Sequence, residues 1–239
     1  MRLGLSVMKL SWADERTALA RAAIGMAARG LVSGASGNAS TRLVPPDRPE
    51  AEERYLITPA GLAYDQLDEA ALVEVDGDLE PVFGDGIPSS ESQLHLSIYR
   101  ARPDVRSVMH THSIYATVAA VLGRPIPPVV DEMVVMLGGA VEVAEYAFPS
   151  TEELAESAEQ ALGGRAAVLL RNHGLCVAAE SPDAALRLSE LVERVAQIHL
   201  FAVLSGGATT LPADVVAAEQ AVYRMRAGLP EAAATAGGE

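Results

Sequence analysis

The hydrophobic and polar positions of this chain fall into short β-branched runs and longer amphipathic stretches, separated by clusters of small, turn-forming residues. Ser11, with acids in the turn after it, caps a helix that runs to about residue 28 and stops near Gly30. Residues 39–44 and 55–58 read as strands on either side of a polar, proline-bearing and mobile loop at 45–53. Residues 72–75 and 79–82 are the arms of a hairpin around the turn Asp76-Gly77. A helix follows Pro88-Ser89-Ser90-Glu91 and is ended near Arg102 by Pro103. Residues 105–112 read as a strand, and Ser113 as the cap of a short helix over 114–122 closed by Gly123. The β-branched segment 129–136 reads as another strand, and 138–149 as a loop and strand containing Val141 and Val143. Ser150-Thr151-Glu152-Glu153 has the form of a capping box for a helix that ends at Leu162. Residues 166–170 and 175–178 are apolar throughout and read as buried strands flanking Asn172-His173-Gly174. Ser181-Pro182 then opens a long helix to about Leu204, ended by Gly206-Gly207.

Strands therefore come in runs and do not alternate strictly with helices. That favours an α/β fold with a mixed or antiparallel sheet covered by helices over a doubly wound dinucleotide fold. No G-x-G-x-x-G follows a strand, so a nucleotide cofactor has no support. The 239 residues suit one domain, over 1–227, with an Ala/Gly-rich tail at 228–239 expected to be disordered. The net charge of −14 argues against nucleic acid or an anionic membrane surface as partner, since both repel a polyanion. A lone cysteine, Cys176, excludes an internal disulfide and a cysteine-based metal site, and fits the reducing cytoplasm. Its apolar neighbours make it a core residue. No stretch reaches the roughly 18 apolar residues of a membrane span, and the N-terminus lacks a signal-peptide core.

The chemistry lies in three pieces. His110 and His112 sit at i and i+2 on a strand, so both imidazoles face one space. His173 occupies a short turn between two apolar strands, and three histidines complete the protein ligand set of a catalytic zinc site. Imidazole does not choose sharply among metals, so iron, manganese or cobalt remain compatible. Glu91 at a helix N-terminus supplies a carboxylate that can ligate or act as base. Taken singly, each residue also has a purely structural reading: exposed strand-end polar groups, a turn residue, a first-turn acid. His95 shares a helical face with Glu91 and is either a rival ligand or a packing and supporting residue, the latter preferred. His199, in the long amphipathic helix, reads as structural. Gly37, Asn38, Thr58, Gly61, Ser89 and Ser90 offer hydroxyls, an amide and backbone N–H groups as a phosphate cradle, with Arg42 a candidate charge.

Five motifs in order, Gly37-Asn38-Ala39-Ser40, Thr58-Pro59-Ala60-Gly61, Pro88-Ser89-Ser90-Glu91, His110-Thr111-His112 and Asn172-His173-Gly174, make the chain resemble the class II aldolase/adducin family, over residues 12–205. Within it the likeness is to the L-fuculose-1-phosphate aldolase branch. The resemblance implies a three-layer α/β/α fold with a largely antiparallel central sheet, and a homotetramer with active sites between subunits. It implies His110, His112 and His173 as zinc ligands, and Glu91 as a ligand of the resting metal and base in turnover. It implies Gly37, Asn38, Ser89 and Ser90 as phosphate contacts and Tyr223 as a counterpart of the family's C-terminal proton-donating tyrosine. The expected reaction is cleavage of a ketose 1-phosphate to dihydroxyacetone phosphate and an aldehyde, the metal stabilising the enediolate. No Schiff-base lysine is needed, which suits a chain whose one lysine is Lys9. Alternatives are the 4-epimerase, decarboxylase and dehydratase relatives, or a non-catalytic binding module like the adducin head. The epimerase branch has Asp after Ser-Ser where this chain has Glu91, and the decarboxylase branch has Lys where it has Ser90; both comparisons favour the aldolase. The chain leaves the fuculose pattern at Ala60, where that branch has threonine, and at Asp131-Glu132, where it carries a tyrosine near the substrate. Those three are the candidate specificity residues.

Overall fold

A computed structural model describes residues 12–44 and 53–230. The Ser11 cap, nearly all of the 45–53 loop and the end of the 228–239 tail lie outside the described residues. Eight strands form one sheet in the order β4-β3-β2-β1-β5-β8-β7-β6. They are β1 (Asn38–Leu43), β2 (Arg54–Ile57), β3 (Val73–Asp76), β4 (Pro81–Phe83), β5 (Ser107–Thr111), β6 (Glu142–Ala144), β7 (Ala167–Leu170) and β8 (Gly174–Ala179). Every pairing is antiparallel except β6 with β7. The three-layer expectation holds, because each central strand is buried on both faces. In β8, Leu175, Val177 and Ala179 enter one core cluster, while Cys176 and Ala178 enter the other.

One face carries α1 (Ala13–Ala28), α3 (Ile114–Leu122), α4 (Asp131–Leu137), α6 (Pro182–Leu204) and α7 (Ala213–Ala227). The other carries α2 (Ser92–Ala101) and α5 (Glu152–Leu162), packed on each other. Ser181 caps α6 by accepting from the Ala184 N–H at 3.2 Å. At α5 the cap is Thr151, which accepts from the Leu154 N–H at 3.2 Å, one residue later than the capping-box reading. Ser113 does not cap α3. The Glu193 carboxylate of α6 takes the Tyr115 and Ala116 N–H groups instead, each at 2.9 Å, and an anion there is favoured by the helix dipole.

Segment 129–136 is corrected from strand to helix. The valines gave it a β look, but Asp131 and Glu132 fall in the first turn, and Met133, Val134 and Leu137 are all buried on one helical face. Gly138, at φ 87°, ends the helix in a left-handed conformation.

Candidate active site

The sheet brings the three histidines together at the edge where β1 begins, β5 ends and β8 begins. Asn38 pairs with His110, and Thr111 with Leu175. His112 lies just past the end of β5, yet its ring still converges with that of His110, their Nε2 atoms 2.9 Å apart. His173 comes from the three-residue β7–β8 connection, whose middle residue, Asn172, has φ 57°. Asparagine tolerates that conformation better than most residues. The ligand atoms of His110, His112 and His173 all lie within 4.8 Å of one another.

Two glycines make the convergence possible. A Cβ on Gly37, at φ 70°, would sit 2.6 Å from the His110 carbonyl oxygen. A Cβ on Gly174 would collide with the Thr111 carbonyl oxygen and come within 3.0 Å of the His112 ring.

Glu91 is the N-cap residue of α2 and faces the triad from the next layer. Its Oε2 is 3.3 Å from His110 Nε2, and its Oε1 is 3.5 Å from His173 Nε2. His110 is fully buried and gives its Nδ1–H to the Leu175 carbonyl at 2.9 Å. Burial, then the neighbouring imidazoles His112 and His173, push its pKa well down, so the ring is neutral and Nε2 is a bare lone pair. Burial and His173 likewise lower His112. The His110 lone pair is an acceptor open either to an N–H of His112 or to a metal ion, and it points into the space that the Glu91 carboxyl group also faces. Three imidazoles and a carboxyl group converging on one space are a donor set that fits a divalent metal. Glu91 Oε1, beside His173, and His173 Nδ1 are buried without a hydrogen-bond partner, while Oε2, beside His110, takes the Asn38 amide.

The cradle motifs meet beside the triad. The Ser89 N–H donates to the Thr58 carbonyl at 3.2 Å, and the Ala60 N–H to Ile87 at 2.8 Å, lacing the second motif to the third. Thr58 is buried, its hydroxyl accepting from the Ala39 N–H at 3.1 Å. The Ser89 hydroxyl accepts from the Glu91 N–H at 3.3 Å. Ala60, Gly61 and Ser90 stand at the exposed rim. Asn38 turns inward: its amide N–H donates to Glu91 Oε2 at 2.9 Å, and its carbonyl meets His95 Nε2. His95 itself is 2 % exposed and touches Asn38 and Ser40, behind Glu91. Sequence reasoning missed Ser40 and Tyr99, which stand behind His95. Their signal was present, since Glu91, His95 and Tyr99 repeat at i, i+4 and i+8 on one helical face.

Three other candidates lie elsewhere. Tyr223 packs its ring on Gly138 and lines a cavity of ≈ 580 Å³ with Arg102, Asp104, Ala178 and Ala179. Ala179 is at the far end of β8 from Gly174, roughly 17 Å away at strand rise. Within one chain Tyr223 is thus not brought to the histidines. Glu132 pairs with Arg194 of α6 on the surface, and Asp131 faces Glu219 of α7.

Residues 17–200 match the family described as class II aldolase and adducin N-terminal domain. The chain belongs to this family. It is 36 % identical over 190 residues to the L-fuculose phosphate aldolase of Escherichia coli strain K12, covering 78 % of this chain and 84 % of that one. It is 38 % identical over 186 residues to the 5-methylthioribulose-1-phosphate/5-deoxyribulose-1-phosphate aldolase of Rhodospirillum rubrum, covering 77 % and 80 %. Among solved structures, an L-fuculose 1-phosphate aldolase superposes with a TM-score of 0.81 at 32 % identity, over 89 % of this chain and 97 % of that chain.

Proposed function

We propose that this protein is a metal-dependent aldolase that cleaves a ketose 1-phosphate, of the L-fuculose 1-phosphate kind, to dihydroxyacetone phosphate and an aldehyde. The observation that carries the reading is the bare Nε2 lone pair of His110 facing both His112 and Glu91. His110, His112, His173 and Glu91 would hold the ion, and zinc suits such a set. Bound there, a divalent cation supplies Lewis-acid stabilisation of the oxygen charge that develops as the C3–C4 bond breaks. The unpartnered Glu91 Oε1 is available to take up the proton that the C4 hydroxyl releases as it becomes the aldehyde, and to deliver that proton to C3. Ser89, Ser90, Gly61 and the backbone of Gly37 and Asn38 form the phosphate side, with Ala60 at its rim. The relatives named above act on ketose 1-phosphates that differ beyond C3, which supports a common phosphate-bearing half and a variable aldehyde.

The reading extends to a homotetramer in the cytoplasm. Among the described residues no helix is long and apolar enough to cross a membrane. Ile114, Val121 and Leu122 of α3 and Phe201 and Leu204 of α6 are more than half exposed. An exposed apolar face on two neighbouring helices supports a subunit contact there. Ile114 is two residues from His112, so a neighbour seated on that face would border the active site.

The deciding experiment incubates purified protein with a panel of ketose 1-phosphates and measures dihydroxyacetone phosphate, with and without chelator. Metal-dependent release is expected. An isomerised ketose with no three-carbon product would favour epimerisation, and full turnover after complete metal removal would end the metal reading.

A further inference from the structure

Behind Glu91 runs a chain of buried polar side chains that the aldolase reading does not use. It passes from Tyr99 through Ser40 and His95 to Asn38, and ends on Glu91 Oε2. Tyr99 OH lies 2.7 Å from Ser40 Oγ, which lies 2.6 Å from His95 Nδ1. His95 Nε2 meets Asn38 Oδ1, and Asn38 Nδ2 is 2.9 Å from Glu91 Oε2. Ser40, His95, Tyr99 and Asn38 are each at most 3 % exposed.

The sense of every bond follows from its last member. A carboxylate oxygen only accepts, so Asn38 must turn its NH₂ to Glu91 and its carbonyl to His95. That carbonyl also only accepts, so His95 carries its proton on Nε2. Burial pushes the His95 pKa down to about 3, with His110 adding to the effect, so the ring is neutral and Nδ1 has no proton. Ser40 must then donate to Nδ1, which leaves its oxygen to accept from Tyr99. The Tyr99 oxygen in turn takes a hydrogen bond from the backbone of Val108. Five groups thus donate in one direction, toward one oxygen of Glu91, and successive bonds of one sense polarise and strengthen each other.

We propose that Tyr99, Ser40 and His95 are positioning residues for the reaction: they lock the Asn38 amide, which pins Glu91 by Oε2 beside His110 and leaves Oε1, beside His173, as the unpartnered oxygen that handles the proton. Because the chain is anchored on β1 and α2, it ties the carboxylate to the sheet that carries the histidines. Without it, the Asn38 amide is free to flip and Glu91 free to rotate away. The inference rests on Glu91 being the base, and the test separates the two.

The experiment is a double-mutant cycle on the metal-loaded protein. Ser40→Ala is expected to lower kcat by about 10–100-fold with KM, bound metal and urea midpoint unchanged. Tyr99→Phe, which keeps the ring, is expected to lower kcat less. In the Glu91→Gln background, Ser40→Ala should cost no further turnover. If Glu91→Gln alone leaves turnover intact, the base assignment fails. If Glu91→Gln abolishes turnover but Ser40→Ala and Tyr99→Phe leave kcat at wild type, or shift KM alone, the positioning proposal fails. A readout independent of activity is the ¹⁵N signature of the His95 ring in the metal-free protein. A neutral ring protonated on Nε2 is expected, and a ring protonated on Nδ1 overturns the chain.

Discussion

His110 and His112 hold their Nε2 atoms 2.9 Å apart, with the Nδ1–H of His110 committed to the Leu175 carbonyl. Both atoms turn with His173 toward one space that exists only in the folded chain, so metal binding there is coupled to stability. Adding zinc to metal-free protein is expected to raise its melting temperature in a concentration-dependent way, as for any ligand that binds only the folded state. His112→Ala should abolish the rise and cut turnover by three orders of magnitude or more, roughly the scale set by removing a principal catalytic group. Calorimetric melting and metal analysis of the purified variant check both.

Gly174 sets the spacing of the ligands. A methyl group there would meet the Thr111 carbonyl and lie 3.0 Å from His112 Cδ2 and 3.3 Å from His110 Cε1. Gly174→Ala is expected to destabilise the fold by about 1–3 kcal/mol. It should also weaken zinc affinity, because β5, which carries His110, and β8, which follows His173, must move apart. Titration calorimetry against wild type tests this, and undiminished affinity with lowered stability would separate packing from ligand geometry.

Most of this arrangement was legible in the sequence, for a physical reason. Strand period places His110 and His112 on one face, and five short motifs in order identify the loops around them. The sequence missed what depends on tertiary choice. Segment 129–136 is rich in valine, yet its first-turn acids and the contact of Met133 and Leu137 with the core make it a helix. Ser113 looked like a cap, but the Glu193 carboxylate, far away in sequence, does that work. The chain behind Glu91 is spread over a helical stripe and a strand stripe, Asn38 with Ser40 and His95 with Tyr99, and only their packing joins them. Tyr223 was placed by resemblance, and no local pattern fixes where its helix docks.

Acid should unfold the metal-free protein through its buried histidines. His95 has a folded pKa of about 3 against an ordinary 6.5, and His110 and His112 are lowered too, burial being the first cause in each. A base with a depressed folded pKa contributes stability that is present above its unfolded value and lost as pH falls below it. Urea midpoints should therefore hold between about pH 8 and 7 and drop progressively below about 6.5. Carboxylates such as Asp104 add to the acid loss, so the specific readout is a difference. His95→Gln should show a shallower decline than wild type, and an equal decline would mean that His95 contributes nothing to it.

Arg102 is a structural keystone remote from the chemistry. Its guanidinium holds Asp104 in two bonds, at 2.8 and 2.6 Å, and gives NH1 to the Gly163 and Arg165 carbonyls at 2.8 and 2.9 Å. It thereby ties the end of α2 to the end of α5. Arg102→Ala orphans two carbonyls and a half-buried carboxylate, and is expected to lower stability by about 2 kcal/mol, discounted for the partial exposure of Asp104. Turnover of the folded fraction should stay at wild type, since the bonds lie at the end of the sheet opposite the histidines. A fall in kcat at saturating metal would show that the far end of the sheet is coupled to the site.

The apolar face of α3 and α6 bears on whether one chain suffices for catalysis. Phe201 is 52 % and Leu204 81 % exposed, and Phe201 contacts Tyr115 with ring centroids 5.9 Å apart, beside the helix that starts after His112. If copies associate there, Phe201→Glu with Leu204→Glu buries two charges in the interface and should dissociate the assembly, as read by analytical ultracentrifugation. The melting temperature of the separated chain should change little, because both side chains are already solvent-exposed in the monomer. Turnover should fall with dissociation while the zinc affinity of the His triad is retained, because all of its ligands come from one chain. A variant that is monomeric and fully active would place the complete site within a single subunit.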